Sequence, residues 1–243
     1  MKYTTYSEQA RNNLVCLQED VEYHDRKEMF CQLAKRFTEK NIHWALGCSM
    51  NLFCRGIVDD FHDLDLIVDI RSVNKIKKEM EDMGAILLQT GGNGFCESDV
   101  YLHYQLGRVD VDIISGFRLI TFNTTYYYKY DSDEIDWTGV MELNIPLISM
   151  EALYVLYYMM EGWQPRRKFK RVLIEEYFAE CKISHPEVLK KAITENSLPG
   201  QIKLAVKELL KNEEWNTNQL WEIEELCSSI FMKITFLLIL KKL

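Results

Sequence analysis

The sequence predicts an α+β protein whose first part combines strands with helices and whose second part is a helical domain. Short apolar runs that fit strands alternate with amphipathic helical segments in the first 145 residues. The four prolines fall at Pro146 and beyond, where helical spacing replaces the strand pattern. With 243 residues and 47% hydrophobic residues, the chain can bury a sizeable core. We therefore predict two domains, 1–145 and 146–243.

In the first part, each predicted element rests on a local pattern. Residues 7–20 and 24–40 have helical apolar spacing, and residues 72–83 form an amphipathic helix for which Ser72 is a suitable N-cap. A short apolar strand is ended by Gly47, and a helix is expected to start in residues 51–56 after the turn. The predicted strands are 42–46, 64–68, 85–89, 97–105, 108–114 and 126–130.

In the second part, apolar residues recur at helical spacing and prolines separate the segments. The predicted helices are 150–160, 168–180, 186–196, 201–211 and 218–240. The apolar run 230–240 is interrupted by Lys233 and is too short to span a bilayer, so no membrane segment is expected. The sequence leaves open whether this last helix packs on its own chain or on a second copy in a homodimer.

Acidic residues on two apolar runs are the most informative chemical feature. Asp63 and Asp65 begin the run 63–68, and Asp110 and Asp112 lie within the run 109–114. Carboxylates two residues apart on a strand point to one face. Buried like charges repel, so an apolar strand keeps such acids together only with a cation. Hard oxygen ligands beside a turn that can hold phosphate, here residues 47–49, point to magnesium and a nucleotide.

The order of these motifs resembles the nucleotidyltransferase superfamily signature. In that signature an apolar strand and a Gly-Ser or Gly-Gly turn into a helix precede an Asp-x-Asp strand, and a third acid follows on a later strand. Here Gly47, Cys48 and Ser49 form the turn, and thirteen residues separate Ser49 from Asp63. The match covers about residues 42–115 and is closest in look to small bacterial antibiotic nucleotidyltransferases of the lincosamide and aminoglycoside type. The chain departs from the pattern at Cys48, where a second glycine is common.

The resemblance implies a nucleotidyltransferase-like mixed sheet flanked by helices and a role for each motif. Asp63, Asp65 and Asp112 would be catalytic and would hold two Mg²⁺ ions, with Asp110 as the alternative third acid. The pattern favours Asp112 because two isoleucines follow it. The turn formed by Gly47, Cys48 and Ser49 would bind the nucleotide.

The implied activity is Mg²⁺-dependent transfer of a nucleoside monophosphate, AMP from ATP or the equivalent from another nucleoside triphosphate. The acceptor would be a hydroxyl of a small molecule, and antibiotics are among such acceptors. Two alternatives remain open: a toxin-type enzyme that modifies a protein or tRNA, and a non-catalytic domain that binds a nucleotide or a partner. The net charge of −8 disfavours nucleic acid as a partner.

Five basic residues between 166 and 171 form a cluster with two interpretations. Such a run is typical of a solvated helix face, but if the helix closes over the cleft its side chains could reach a triphosphate. His62 has the same two interpretations, as a solvated loop residue or a phosphate contact. The seven cysteines are odd in number and lack C-x-x-C spacing, which predicts reduced thiols in a cytoplasmic protein.

Overall fold

The computed structural model describes residues 6–19, 24–92, 96–121, 124–140, 143–162 and 164–215. The helices are α1 (Tyr6–Glu19), α2 (His24–Glu39), α3 (Cys48–Cys54), α4 (Val73–Asp82), α5 (Met150–Glu161), α6 (Arg167–Glu180), α7 (Pro186–Glu195) and α8 (Gly200–Trp215). The strands are β1 (Trp44–Leu46), β2 (Leu64–Val68), β3 (Ile86–Thr90), β4 (Cys96–Leu106), β5 (Val109–Thr121), β6 (Thr124–Tyr128), β7 (Ile135–Val140) and β8 (Leu143–Ile148). The predicted helix 218–240 lies outside the described residues.

The strands form one mixed sheet in the order β3-β4-β5-β2-β1-β8-β7, with β6 paired to β5. The pairs β2–β5 and β1–β8 are parallel, and the other pairs are antiparallel. The predicted α+β class, a mixed sheet flanked by helices, is therefore confirmed. The parallel pair β2–β5 matters most for function, because it sets the two acidic runs side by side.

Two apolar clusters cover the opposite faces of this sheet. One face packs against α2 and α4, with Phe30, Leu33 and Ile76 fully buried among side chains such as Leu66. The other face packs against α5, α7 and α8 and includes Ile67, the chain neighbour of Leu66. Successive strand residues therefore face different cores, as the period of a strand requires.

Strands β7 and β8 were not predicted from the sequence. Pro146 lies inside β8 and Gly139 inside β7, and both residue types argue against a strand in sequence-based reasoning. Pro146 is accommodated opposite Trp137 on β7, and β8 also pairs with β1 at Leu46 and Leu147. Since β8 spans 143–148, it crosses the predicted boundary between residues 145 and 146, and the division into two domains stays a prediction.

Asn51 on α3 ties together the strand ends next to the acidic runs. Its buried side-chain amide donates to the carbonyl oxygens of Leu46 and Ile148, at 2.9 Å each. Its side-chain oxygen accepts from Nε of Arg55 at 2.8 Å. Both polar atoms of this buried amide side chain thus make hydrogen bonds, which hold the ends of β1 and β8 against α3. None of the helices within the described residues is long and apolar enough to cross a membrane.

Candidate functional site

The structure brings three of the predicted acids together. Asp65 on β2 and Asp112 on β5 are direct partners in the parallel pair, and Asp63 lies one residue before β2. One carboxylate oxygen of each acid lies within 4.8 Å of the others. Parallel pairing with this register places the two strand acids on the same sheet face, so the cluster follows from the backbone.

Burial and mutual repulsion disturb the ionisation of this cluster. Burial, followed by the charges of Asp63 and Asp112, raises the pKa of Asp65 to about 7, although a hydrogen bond with Cys48 and the charge of Arg167 act in the opposite direction. Burial likewise raises the pKa of Asp112. Without a bound cation, burial and the neighbouring acids therefore favour the protonated form of Asp65. Three carboxylates are hard oxygen ligands, so the donor set fits Mg²⁺, whose charge would favour the ionised form.

The third acid of the cluster is Asp112, and the alternative Asp110 lies outside it. Asp110 is exposed, and its carboxylate lies 4.0 Å from Nε2 of His103. Asp112 instead interacts through Oδ1 with Nδ1 of His103 at 2.6 Å and with the Tyr101 hydroxyl, which donates at 3.1 Å. With two neighbours on Oδ1, Asp112 is held in one orientation that presents Oδ2 to a ligand or a proton.

In the turn before α3, the unusual backbone geometry lies at Cys48 and not at Gly47. Gly47 has an ordinary φ of −105°, and its N–H donates to the carbonyl oxygen of Asp65 at 2.8 Å. Its lack of a side chain matters for space, because an added Cβ would lie 3.3 Å from Ile67 Cγ1. The left-handed conformation falls on Cys48, whose φ is +40°. Cysteine thus occupies the position at which glycine would be unstrained.

Helix α3 starts at Cys48, three residues earlier than predicted, and Ser49 therefore lies in its first turn. The Ser49 hydroxyl donates to Oδ1 of Asp63 at 3.4 Å. The side chain of Ser49 is buried against the acid cluster. All three residues of the predicted nucleotide-binding turn thus lie beside the acids, while their role in binding stays a prediction.

Helix α6 faces the acids across a cleft of about 390 Å³. Arg166, Arg167 and Lys170 line this cleft opposite Asp63 and Asp65. Burial lowers the pKa of Lys170, while the charges of the two acids act to raise it. Of the two interpretations of the basic cluster, the structure therefore favours a cleft-facing group for these three residues. The exposed His62 lines the same cleft.

Arg171 does not share this orientation. Its Nε donates to Glu161 at 2.7 Å, and its guanidinium also pairs with Glu175 and lies 4.5 Å from the ring centroid of Tyr158. These contacts hold α6 against α5. Arg171 therefore positions the helix that carries the cleft-facing cations.

Tyr157 on α5 forms the floor beneath those cations. The Arg167 guanidinium lies 5.9 Å from its ring centroid, and Lys170 Nζ lies 5.7 Å away, distances within the range of cation–π attraction. Its buried hydroxyl finds no hydrogen-bond partner among the described residues. Sequence reasoning missed Tyr157, Tyr101 and His103. For the last two a signal existed, since the tight turn at Gly107 sets the β4–β5 register that places His103 opposite Asp112.

Comparisons with known proteins find similarity only among solved structures. No family model and no curated protein matches the chain. A candidate nucleotidyltransferase from Thermotoga maritima is 14% identical with a TM-score of 0.49, covering 62% of this chain and 94% of its own. The lincosamide antibiotic adenylyltransferase LnuA bound to lincomycin is 17% identical with a TM-score of 0.42, covering 61% and 95%.

A third similar structure is ANT(2")-Ia in complex with adenylyl-2"-tobramycin. It is 13% identical with a TM-score of 0.44, and the match covers 79% of this chain and 98% of that one. The first two of these structures are described as a nucleotidyltransferase and an adenylyltransferase, the group that the sequence motifs resemble. At these identities and TM-scores the likeness assigns no role to a residue, so any role must follow from the geometry of the site itself.

The left-handed backbone at Cys48 gives a stability prediction. We expect Cys48→Gly to be about 1 kcal/mol more stable than Cys48→Ala, because glycine adopts positive φ without strain. Comparing these two variants removes the thiol from both. At Lys78, an exposed position inside α4, the order should reverse, with Gly about 1 kcal/mol worse than Ala. Chemical denaturation measures all four free energies of unfolding, and the same order at both positions would contradict the strain.

The acid cluster predicts a pH-dependent response to Mg²⁺. Because the pKa of Asp65 is raised to about 7 from an ordinary 3.8, the folded protein binds this proton more tightly than the unfolded chain. Metal-free protein should therefore lose stability as the pH rises through this window. Mg²⁺ must displace the proton, so its apparent affinity should rise up to about tenfold per pH unit towards pH 7 and then level off.

Thermal shifts with and without Mg²⁺ from pH 5.5 to 8.5 measure this dependence. Asp65→Asn should abolish the Mg²⁺-induced shift at every pH. An equal Mg²⁺-induced shift at pH 5.5 and pH 8 in the unaltered protein would show that the cluster is not the metal site.

Proposed function

We propose that the protein is a Mg²⁺-dependent nucleotidyltransferase that transfers AMP from ATP to a hydroxyl of a small-molecule acceptor. One observation carries the proposal: a cluster of three carboxylates, of which Asp65 is buried and the other two are half-buried, faces a group of cations across a single cleft. Carboxylates bind metal and cations bind phosphate, and a metal–triphosphate complex needs both groups at its two sides. The cleft lies where the predicted domains 1–145 and 146–243 would meet.

Asp63 and Asp65 would hold the metal on the nucleotide side, and Asp112 would complete the ligand set for a second ion. When bound, the metal neutralises charge on the phosphates and on the departing pyrophosphate. Ser49 accompanies Asp63 through the 3.4 Å hydrogen bond and lies at the edge where the phosphates would enter. Support for this assignment comes from the mutual distances of the acids and the raised pKa of Asp65.

Arg167 and Lys170 would bind the β- and γ-phosphates. They lie opposite the acids, and the Tyr157 ring beneath them restricts where their charges can move. The side-chain oxygen Oε1 of Gln164 accepts a hydrogen bond from Nε of Arg167 at 2.9 Å. Arg167 is therefore oriented before a nucleotide arrives, which lowers the entropy cost of binding.

Asp112 would receive the proton of the acceptor hydroxyl. The hydroxyl oxygen forms a bond to the α-phosphorus while the bond from the α-phosphorus to the bridging oxygen breaks, and pyrophosphate leaves with that oxygen. The proton passes to Oδ2 of Asp112, because Oδ1 is held by His103 and Tyr101. Positioning and charge neutralisation thus account for the main work of the site.

A small acceptor fits better than tRNA. The cations that line the site point into the cleft towards the acids, whereas tRNA binding needs a basic surface that follows a backbone outside. The net charge of −8 acts in the same direction. Antibiotics with free hydroxyls are one class of small acceptor that the sequence resemblance supports.

Replacing one metal-binding acid should strongly lower the rate of transfer, whereas an acid that lies outside the cluster should tolerate the same change. We expect Asp65→Asn to lower the rate of AMP transfer by at least about 100-fold, because several kcal/mol of charge stabilisation are lost. Asp110→Asn serves as the matched control, since Asp110 lies outside the cluster and is exposed. Its rate should stay within about twofold of the unaltered protein.

The assay follows the label of α-³²P-ATP and released pyrophosphate across a panel of hydroxylated acceptors, with and without Mg²⁺. Equal loss in both variants, or undiminished transfer by Asp65→Asn, would contradict the proposed site. Mg²⁺-dependent ATP binding without transfer to any acceptor would instead favour the non-catalytic alternative.

The orientation of Lys170 towards the cleft predicts that two lysines of α6 contribute differently to MgATP binding. Lys170→Ala should weaken MgATP binding about tenfold or more, because a charge-assisted contact to phosphate is lost. Lys168→Ala should change the affinity less than about twofold, since Lys168 is exposed and does not line the cleft. Calorimetric titration measures both, and similar affinities for the two variants would exclude Lys170 from the phosphate contacts.

A further inference from the structure

A second cavity, of about 230 Å³, adjoins the acid cluster on the side away from most of the cations. It shares Cys48, Asp65, Asp112 and Arg167 with the cleft described above, so these residues form the wall between the two spaces. A group in this second cavity would reach Asp112 from a space that Lys170 and Arg166 do not line. In-line displacement at phosphorus requires the acceptor hydroxyl to approach from the side opposite to the leaving group, so the acceptor and the nucleotide need separate spaces.

The residues that line the second cavity alone are uncharged throughout the described part of the chain. Most of them are apolar or aromatic, two carry side-chain amides, and one is a glycine. The apolar and aromatic residues are Cys96, Tyr101, Ile114, Phe117 and Met160, the amides are Gln89 and Gln164, and the glycine is Gly92. Every formal charge in the lining therefore belongs to the shared wall.

The ionic groups of the shared wall are already committed under the proposed function. Asp65 and Asp112 would bind metal, and Arg167 would bind phosphate. A polycationic acceptor would then find no free carboxylate among the described lining residues to balance its amines, at a high desolvation cost. Apolar and aromatic walls instead favour a neutral molecule with an apolar face, oriented by a few polar groups.

From these observations we infer that the second cavity binds the acceptor, and that the acceptor is a small, neutral hydroxyl compound with an apolar or aromatic face. The inference rests on the proposed function, because it assigns the metal and the nucleotide to the other side of the wall. Tyr101 links the two sides, since it lines the cavity and donates to Asp112 at 3.1 Å. The volume is below the ~300–1,000 Å³ of ordinary ligand pockets, which limits the acceptor to a compact molecule.

Filling the cavity tests the inference. The probe is 2-phenylethanol, and its binding to protein loaded with Mg²⁺ and a non-hydrolysable ATP analogue is followed by saturation-transfer NMR. Gln89→Trp places a bulky ring into the cavity from the exposed strand β3, and Cys96→Trp fills it from β4. Thr90→Trp is the control, since Thr90 is exposed on the same strand and does not line the cavity.

We expect both filling variants to weaken probe binding at least about tenfold, with affinity for the ATP analogue unchanged within about twofold. Thr90→Trp should leave both affinities unchanged. Gln89→Trp decides the question if Cys96→Trp does not fold, because Gln89 is exposed and its replacement strains no core.

Different results would contradict the acceptor cavity and the proposed function. If the analogue binds but 2-phenylethanol does not, or if its binding is the same in Gln89→Trp, the acceptor cavity is wrong and the nucleotide site stands. If a polyamino sugar such as tobramycin binds more tightly than the neutral probe and loses that binding in Gln89→Trp, the cavity holds the acceptor but the neutral class of acceptor is wrong. If the unaltered protein shows no Mg²⁺-dependent binding of the analogue, the proposed function itself fails and the acceptor assignment fails with it.

Discussion

The repulsion among three carboxylates, two of them on the parallel strands β2 and β5 and the third one residue before β2, is the constraint on which the site depends. Asp65 and Asp112 are fixed opposite each other by the backbone pairing of β2 and β5, so they cannot separate without breaking the sheet. Burial limits the screening of Asp65 by water, and burial together with the charges of Asp63 and Asp112 raises the pKa of Asp65. The fold thus holds a local excess of negative charge whose natural complement is a divalent cation.

The remaining residues of the site place positive charge opposite the three carboxylates and fix the orientation of Asp112. Helix α6 brings Arg167 and Lys170 to the opposite wall, and Arg171 fastens that helix to α5 through Glu161. The cations do not contact the acids closely enough to cancel them, which leaves space for a ligand that carries both metal and phosphate. His103 fixes the direction in which Asp112 presents its free oxygen. The acids, the cations of α6, the oriented side chain of Asp112 and the open cleft therefore lie at one place in the structure.

Much of this arrangement could be predicted from the sequence because its signals are local. The Asp-x-Asp of residues 63–65 and the acids of the run 109–114 sit on apolar strands, and strand period places them on one face. What could not be predicted depends on tertiary structure. Gly139 and Pro146 disfavour strands in sequence-based reasoning, so β7 and β8 were not predicted. The left-handed φ of Cys48 is uncommon for a residue other than glycine, so it was not predicted either. The approach of Tyr157 to the cations requires packing between helices that no local pattern encodes.

The most direct test of the central claim is to locate a divalent ion in a crystal. Anomalous scattering from Mn²⁺, a substitute for Mg²⁺, should give a peak coordinated by oxygens of Asp63 and Asp65 in crystals grown with a non-hydrolysable ATP analogue, with the triphosphate turned towards Lys170. An ion bound elsewhere, or a triphosphate on another surface while these carboxylates stay free of metal, would contradict the account.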